Sequence, residues 1–228
     1  MRFIKLIAVT VLSFASTGVA LGQDQSDFSL DGYVGVTTDY RDRGLSLSDR
    51  DIAAIGSIGA FHDSGFYLGL DAGTVDTFNG SDARLELFAG YSLDAGDFVY
   101  DFSVELDTFH GNGSQFYPEF KVSASRDFGL AFTRAGIAFA PEGRWINPNN
   151  DSFYTFADLE IPVPNMPSLT LVSHVGRDFR GGVNDLWDWS VGLSAFVGDV
   201  ELNVSYEDSS LDRREGSGRV IFGARFYF

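Results

Sequence analysis

Few residues in this chain could do chemistry. Cysteine is absent and there are three histidines: His62, His110 and His174. A nucleophilic mechanism needs a hydroxyl or thiol beside a base that a third group orients. His62 lies in the short stretch "HDSG" and His110 in the glycine-rich "HGNGSQFY". His174 sits mid-segment in "SLTLVSHVG", on the parity that turns away from lipid, and no G-x-S-x-G element accompanies it. Asp76, Asn79 and Asp82 in "DTFNGSD" offer oxygen ligands, but not at EF-hand spacing. The expectation is a protein that is not an enzyme and that carries no metal and no cofactor.

The charged residues are more telling. In "VTTDYRDRGLSLSD" an alternating segment runs straight into Asp39, Arg41, Asp42 and Arg43. Elsewhere charges recur at every second residue opposite apolar partners. From Phe98 to Thr108 the even positions are apolar or Thr, while the odd ones include Asp101, Glu105 and Asp107. Period two marks a strand with one apolar and one ionic face. The same pattern puts Asp71, Arg84, Glu86, Lys121, Arg134, Asp158, Glu160, His174, Asp188 and Arg225 on ionic faces.

About twelve such segments follow one another, near 28–40, 51–62, 66–75, 83–93, 98–109, 118–126, 129–139, 152–161, 168–177, 187–196, 200–207 and 219–228. Most approach the length a tilted strand needs to cross a bilayer. Short links ("DSG", "DAGD", "RDFG", "PVPNMP", "VGD") alternate with longer ones such as "RDRGLSLSD", "APEGRWINPNND" and "DSSLDRREGSG". That asymmetry predicts an all-β, up-and-down antiparallel transmembrane β-barrel with short periplasmic turns and longer extracellular loops. A soluble sandwich also alternates, but three features oppose it. The links differ in length, aromatics fall near segment ends, and the amino terminus looks like an export signal. The aromatics are Phe28, Tyr40, Phe66, Phe98, Phe109, Phe128, Phe153, Trp187, Trp189, Tyr206 and Phe228, which are expected to form interfacial girdles.

Arg2, Lys5, the apolar "LIAVTVLSFASTGVA" and the small residues Gly18, Ala20 and Gly22 read as a secretory signal over residues 1–22, leaving one domain over 23–228. Without Arg2 and Lys5 the chain keeps 14 basic residues against 32 acidic ones. That balance excludes nucleic acid as a partner, since phosphate binding needs a basic footprint. With no disulfides available, the barrel itself must supply the stability.

Two further stretches carry a family resemblance. "VGVTTDYRDRGLSLSD" supplies Thr37, Thr38, Asp39, Tyr40, Arg43, Gly44, Ser46 and Ser48, and "FHDSGFYLGL" supplies His62, Ser64, Gly65, Phe66, Tyr67 and Gly69. With "FYTFADLEIPVP", "LVSHVGRD" and "WDWSVGLSAFVGDVELNVSYED", they resemble the TorF family of porins over most of the chain outside residues 94–150. The terminal "RVIFGARFYF" resembles the closing strand of outer-membrane barrels, in which aromatics here at Phe226 and Phe228 are the assembly signal. The resemblance implies the bacterial outer membrane, with its lipid and lipopolysaccharide and the barrel-assembly machinery as partners.

Continuing the first strand through Tyr40 places Asp39, Arg41 and Arg43 at the lumen mouth and Tyr40 at the outer interface. Asp39, Arg41, Arg43, Asp71, Arg84, Glu86, Asp101, Glu105, Asp107, Lys121, Arg134, Asp158, Glu160, His174, Asp188 and Arg225 are the pore-lining candidates. Their acidic excess favours cations. The expected function is passive diffusion of small polar solutes or ions through a channel. The alternative is a closed structural or interaction barrel whose charges pair across the lumen, with "APEGRWINPNND" meeting surface partners. An outer-membrane enzyme is the distant third.

Overall fold

The computed structural model describes residues 27–76, 80–111 and 114–228; the expected signal segment 1–22 lies outside the described residues. Twelve strands close one antiparallel barrel: β1 Phe28–Thr37, β4 Ala53–His62, β5 Phe66–Thr74, β6 Ser81–Ala95, β7 Phe98–Gly111 and β8 Ser114–Asp127, followed by β9 Phe132–Ala140, β10 Ser152–Val163, β11 Met166–Arg180, β12 Leu186–Val197, β13 Val200–Ser209 and β14 Arg219–Tyr227. Two short strands, β2 Arg41–Asp42 and β3 Leu45–Ser46, pair only with each other. Each barrel strand pairs with its chain neighbours. β1 meets β14 from Tyr33↔Tyr227 to Thr37↔Gly223, and the backbones of Gly32 and Phe228 exchange hydrogen bonds of 3.0 and 3.1 Å. Closure leaves no edge unpaired, which a bilayer requires.

The alternation in the sequence sets the two faces. Phe102 and Val104 are 46 % and 47 % exposed on the outer surface, whereas Ser103 between them is buried inside. Val34, Val36, Leu68, Leu87, Phe120, Leu193, Phe222 and Phe226 continue an apolar exterior. Such a band around a closed barrel is stable against hydrocarbon and not against water. The molecule is therefore a membrane-spanning barrel of the outer-membrane type.

Three local expectations are corrected. β1 stops at Thr37 instead of running to Tyr40, because the chain bends inward there. The segments expected near 98–109 and 118–126 both extend into "HGNGSQFY": β7 runs to Gly111 and β8 begins at Ser114. Tyr40 and Phe109 join no girdle. Phe109 is 1 % exposed and Tyr40 packs beside it in an internal cluster.

Candidate functional site: the lumen and the inward-folded loops

Residues 38–52 form a lid inside the outer mouth. Arg43 and Gly44 both have positive φ, 49° and 73°, so they turn β2 into β3 with the handedness a two-residue hairpin needs. The tip is tight. A Cβ on Gly44 would lie 2.8 Å from the Asp208 carbonyl oxygen, so only glycine lets the hairpin reach the wall. Beyond the turn, Leu45 and Leu47 point one way and Ser46 and Ser48 the other. The two leucines join Val75, Phe109, Tyr117, Trp145 and Leu186 in a buried cluster across the mouth. Ser46 donates to Asp39 Oδ1 at 2.6 Å, and the backbone N–H of Tyr40 donates to Ser48 Oγ at 2.9 Å.

An ionic layer accompanies this apolar one. Arg144, from the loop between β9 and β10, donates to Asp42 at 2.5 Å, Asp107 at 2.9 Å and Glu119 at 3.1 Å. Trp145 Nε1 donates to Asp42 at 3.2 Å. Arg43 reaches Glu119 at 2.5 Å and lies 3.9 Å above the centre of the Tyr154 ring. Arg84 bridges Asp107 and Glu86, both at 2.5 Å, and donates to the Tyr40 hydroxyl at 2.6 Å. Burial would raise the Asp42 carboxyl, but Arg144, then Arg84 and Arg43, outweigh it and hold it far below the ordinary range. Burial likewise lowers Arg144, and Asp42, Glu119 and Asp107 reverse the effect, holding it firmly charged. The loop "APEGRWINPNND" thus turns Arg144 and Trp145 inward, where the carboxylates of Asp42, Asp107 and Glu119 lie.

Below the lid most of the remaining candidates line the wall in pairs. Lys121 holds Glu105 at 2.5 Å, Arg134 holds Asp158 at 2.7 Å and Arg225 holds Glu201 at 3.1 Å. His174 sits between Asp158 at 2.6 Å and Asp188 at 2.9 Å, with the Tyr154 hydroxyl at 2.8 Å, the surroundings of a satisfied wall residue. Asp101 accepts from Tyr67 at 2.8 Å. Asp71 Oδ1 has no hydrogen-bond partner among the described residues, and Glu160 joins no salt bridge among the described residues. Asp39, Arg41 and Arg43 are at the mouth, but on the inward-folded segment rather than on a strand: Arg41 bonds Asp39 at 2.8 Å and the carbonyls of Gly44 and Ser217. Asp42, Arg144, Trp145, Leu45 and Leu47 also build the site, beyond the residues that strand parity points to. The alternation in "GLSLS" was the available signal for the leucines, while nothing local marks Arg144.

A closed twelve-strand barrel with an apolar exterior and an ionic lumen is the architecture of outer-membrane porins. The chain belongs to the Gcw_chp family, described as a bacterial protein of unknown function, whose model matches residues 22–222. Among curated proteins none matches it in sequence. Of solved structures, the KdgM porin in complex with disordered oligogalacturonate is similar with TM-score 0.59 at 10 % identity, over 88 % of this chain and 99 % of that one. The NanC porin is similar with TM-score 0.54 at 11 % identity, over 88 % and 100 %. At these identities the likeness is one of fold.

Proposed function

We propose that this chain is an outer-membrane channel for passive diffusion of small polar solutes, weakly favouring cations, with an outer mouth that the first loop restricts. The observation that carries the reading is the residual carboxylate charge on the lumen wall. Asp71, Asp101 and Glu160 face inward, and among the described residues none of them is in a salt bridge with a basic side chain. Unpaired carboxylates on a pore wall attract cations and repel anions. A polyanion such as the oligogalacturonate in the KdgM complex would meet this wall unfavourably. The resemblance to TorF porins supports the same reading. The amino-terminal pattern adds a cleaved segment 1–22 and a single barrel domain over 23–228, and the resemblance brings contact with outer-membrane lipid and lipopolysaccharide and delivery by the barrel-assembly machinery through Phe226 and Phe228. A passive role, without catalysis, fits a lumen whose one histidine is fully occupied by wall residues.

The lid favours a second reading, a closed structural barrel. The aromatic and ionic layers at the mouth are built like a protein core rather than a water-filled vestibule. Conductance of the purified barrel in planar bilayers separates the two. Discrete steps with a reversal potential on the cation side support the channel. Absence of current from wild type and from lid-weakened variants supports the closed barrel.

A further inference from the structure

Of the Lys and Arg residues in the described barrel strands, Arg84, Lys121, Arg134, Arg180, Arg219 and Arg225 lie on lumenal parity, and only Arg126 and Arg177 point outward. An outward cation on a membrane barrel is costly unless it lies at an interface, and both do. Arg177, near the loop end of β11, is gripped by Asp185 through Nε at 3.2 Å and Nη2 at 2.7 Å. Arg126 differs. It sits at the short-turn rim, which is the periplasmic one, and one guanidinium nitrogen meets Asp97 at 2.8 Å while Nε has no hydrogen-bond partner among the described residues. Phe98 and Phe128 flank the guanidinium, with centroids at 5.2 and 4.7 Å. The Asp97 carboxylate is 71 % exposed. An exposed ion pair of this kind contributes little to stability, so it can exchange partners cheaply.

Above this pair the outer wall is concave. A groove of about 640 Å³ crosses β4 to β8, with Ala60 and Ala89 framed by Leu68, Phe102, Val104 and Phe120. Its β7–β8 end is connected to Arg126 by register. Phe102 is opposite Val122, Tyr100 opposite the small Ala124, and the next outward pair down is Phe98 beside Arg126. An acyl chain entering the groove along Ala124 would bring its headgroup to the rim.

We infer that Arg126 and Asp97 bind the zwitterionic headgroup of a periplasmic-leaflet phospholipid, the phosphate on Arg126 and a primary ammonium on Asp97, with an acyl chain in the groove above. Charge complementarity selects the class. A lone phosphate would be repelled by Asp97, whereas phosphatidylethanolamine satisfies both side chains. The site rests on membrane insertion and not on conduction, so a barrel that passes no current leaves it untouched.

The test is native mass spectrometry of the barrel released from vesicles of equal phosphatidylethanolamine and phosphatidylglycerol. Wild type should retain phosphatidylethanolamine in preference. R126Q should lower total retention about tenfold, the scale of one charge-assisted hydrogen bond. D97N keeps the phosphate contact and should lose the preference, shifting toward phosphatidylglycerol. R177Q, at the other rim, should match wild type. Wild type without bound phospholipid, R126Q with undiminished retention, R177Q matching the R126Q loss, or D97N with its preference intact would each overturn the site. Heat-modifiable migration on gels, equal for all variants, shows that the barrels compared are folded.

Discussion

At the scale of single residues, Arg144 has the most depend on it. It touches Asp42 on the lid and both Asp107 and Glu119 on the wall. Replacing a buried partner strands the others, at about 3–5 kcal/mol. Arg144→Gln should therefore lower unfolding stability by about that amount in denaturant titrations, and should raise the open fraction in bilayer recordings. A stability loss without altered current would assign the network to structure alone. Acid should not mimic that variant. Asp42 has an ordinary pKa of 3.8 and a folded value well below it. A carboxyl depressed on folding contributes its full stability above the unfolded pKa and loses it only as pH falls through the folded one. Between pH 7 and pH 4 the lid should stay latched, checked by equal protease resistance of residues 38–52 at both values. Opening near pH 5 would mean that a different group controls it.

At the scale of elements, the pleat assigns each side chain to lipid or lumen, and adjacent residues test it. Ile58 is 47 % exposed on the outer face of β4, while Ser57 faces inward opposite Asp71. Ile58→Arg should destabilise the barrel by about 2–4 kcal/mol near the bilayer midplane. Ser57→Arg should be tolerated, since it brings a cation to the unpaired Asp71 oxygen. Unfolding titrations in lipid vesicles read both; equal losses would mean that the faces are wrongly assigned. The same pleat made the barrel legible in the sequence. Period two fixes which face is ionic whatever the exact strand ends, so Asp101, Glu105 and Asp107 could be placed without knowing where β7 stops. The lid was not legible, because a two-residue hairpin has too few residues to show a period. "RDRGLSLSD" reads equally as a solvated loop or a plug, and its place is decided by Glu119 and Arg144, far along the chain. Phe109 was misplaced for the same reason: an aromatic near a strand end serves a girdle or a core according to which way the neighbouring loop folds.

For the whole molecule, closure and lumen charge are separate properties. Closure depends on the seam where β14 meets β1. Phe228 supplies both a backbone pair with Gly32 and an outward ring that is 58 % exposed. Deleting Phe228 should reduce the yield of heat-modifiable barrel, and undiminished yield would remove its assembly role. Lumen charge decides what passes. The basic side chains Arg84, Lys121, Arg134 and Arg225 are all engaged with carboxylates, so their fields are locally cancelled. Asp71 and Glu160 join no salt bridge among the described residues, and Asp71→Asn with Glu160→Gln should move the reversal potential across a salt gradient toward zero. Glu105→Gln should do the same less cleanly, because it also releases the Lys121 ammonium that it holds at 2.5 Å. Both shifts should fade near molar salt, where screening shortens to about 3 Å. If selectivity instead follows Arg41→Ala and Arg43→Ala, with Asp71 and Glu160 indifferent, the lid and not the wall is the filter. The unpaired carboxylates would then be bystanders below a gate.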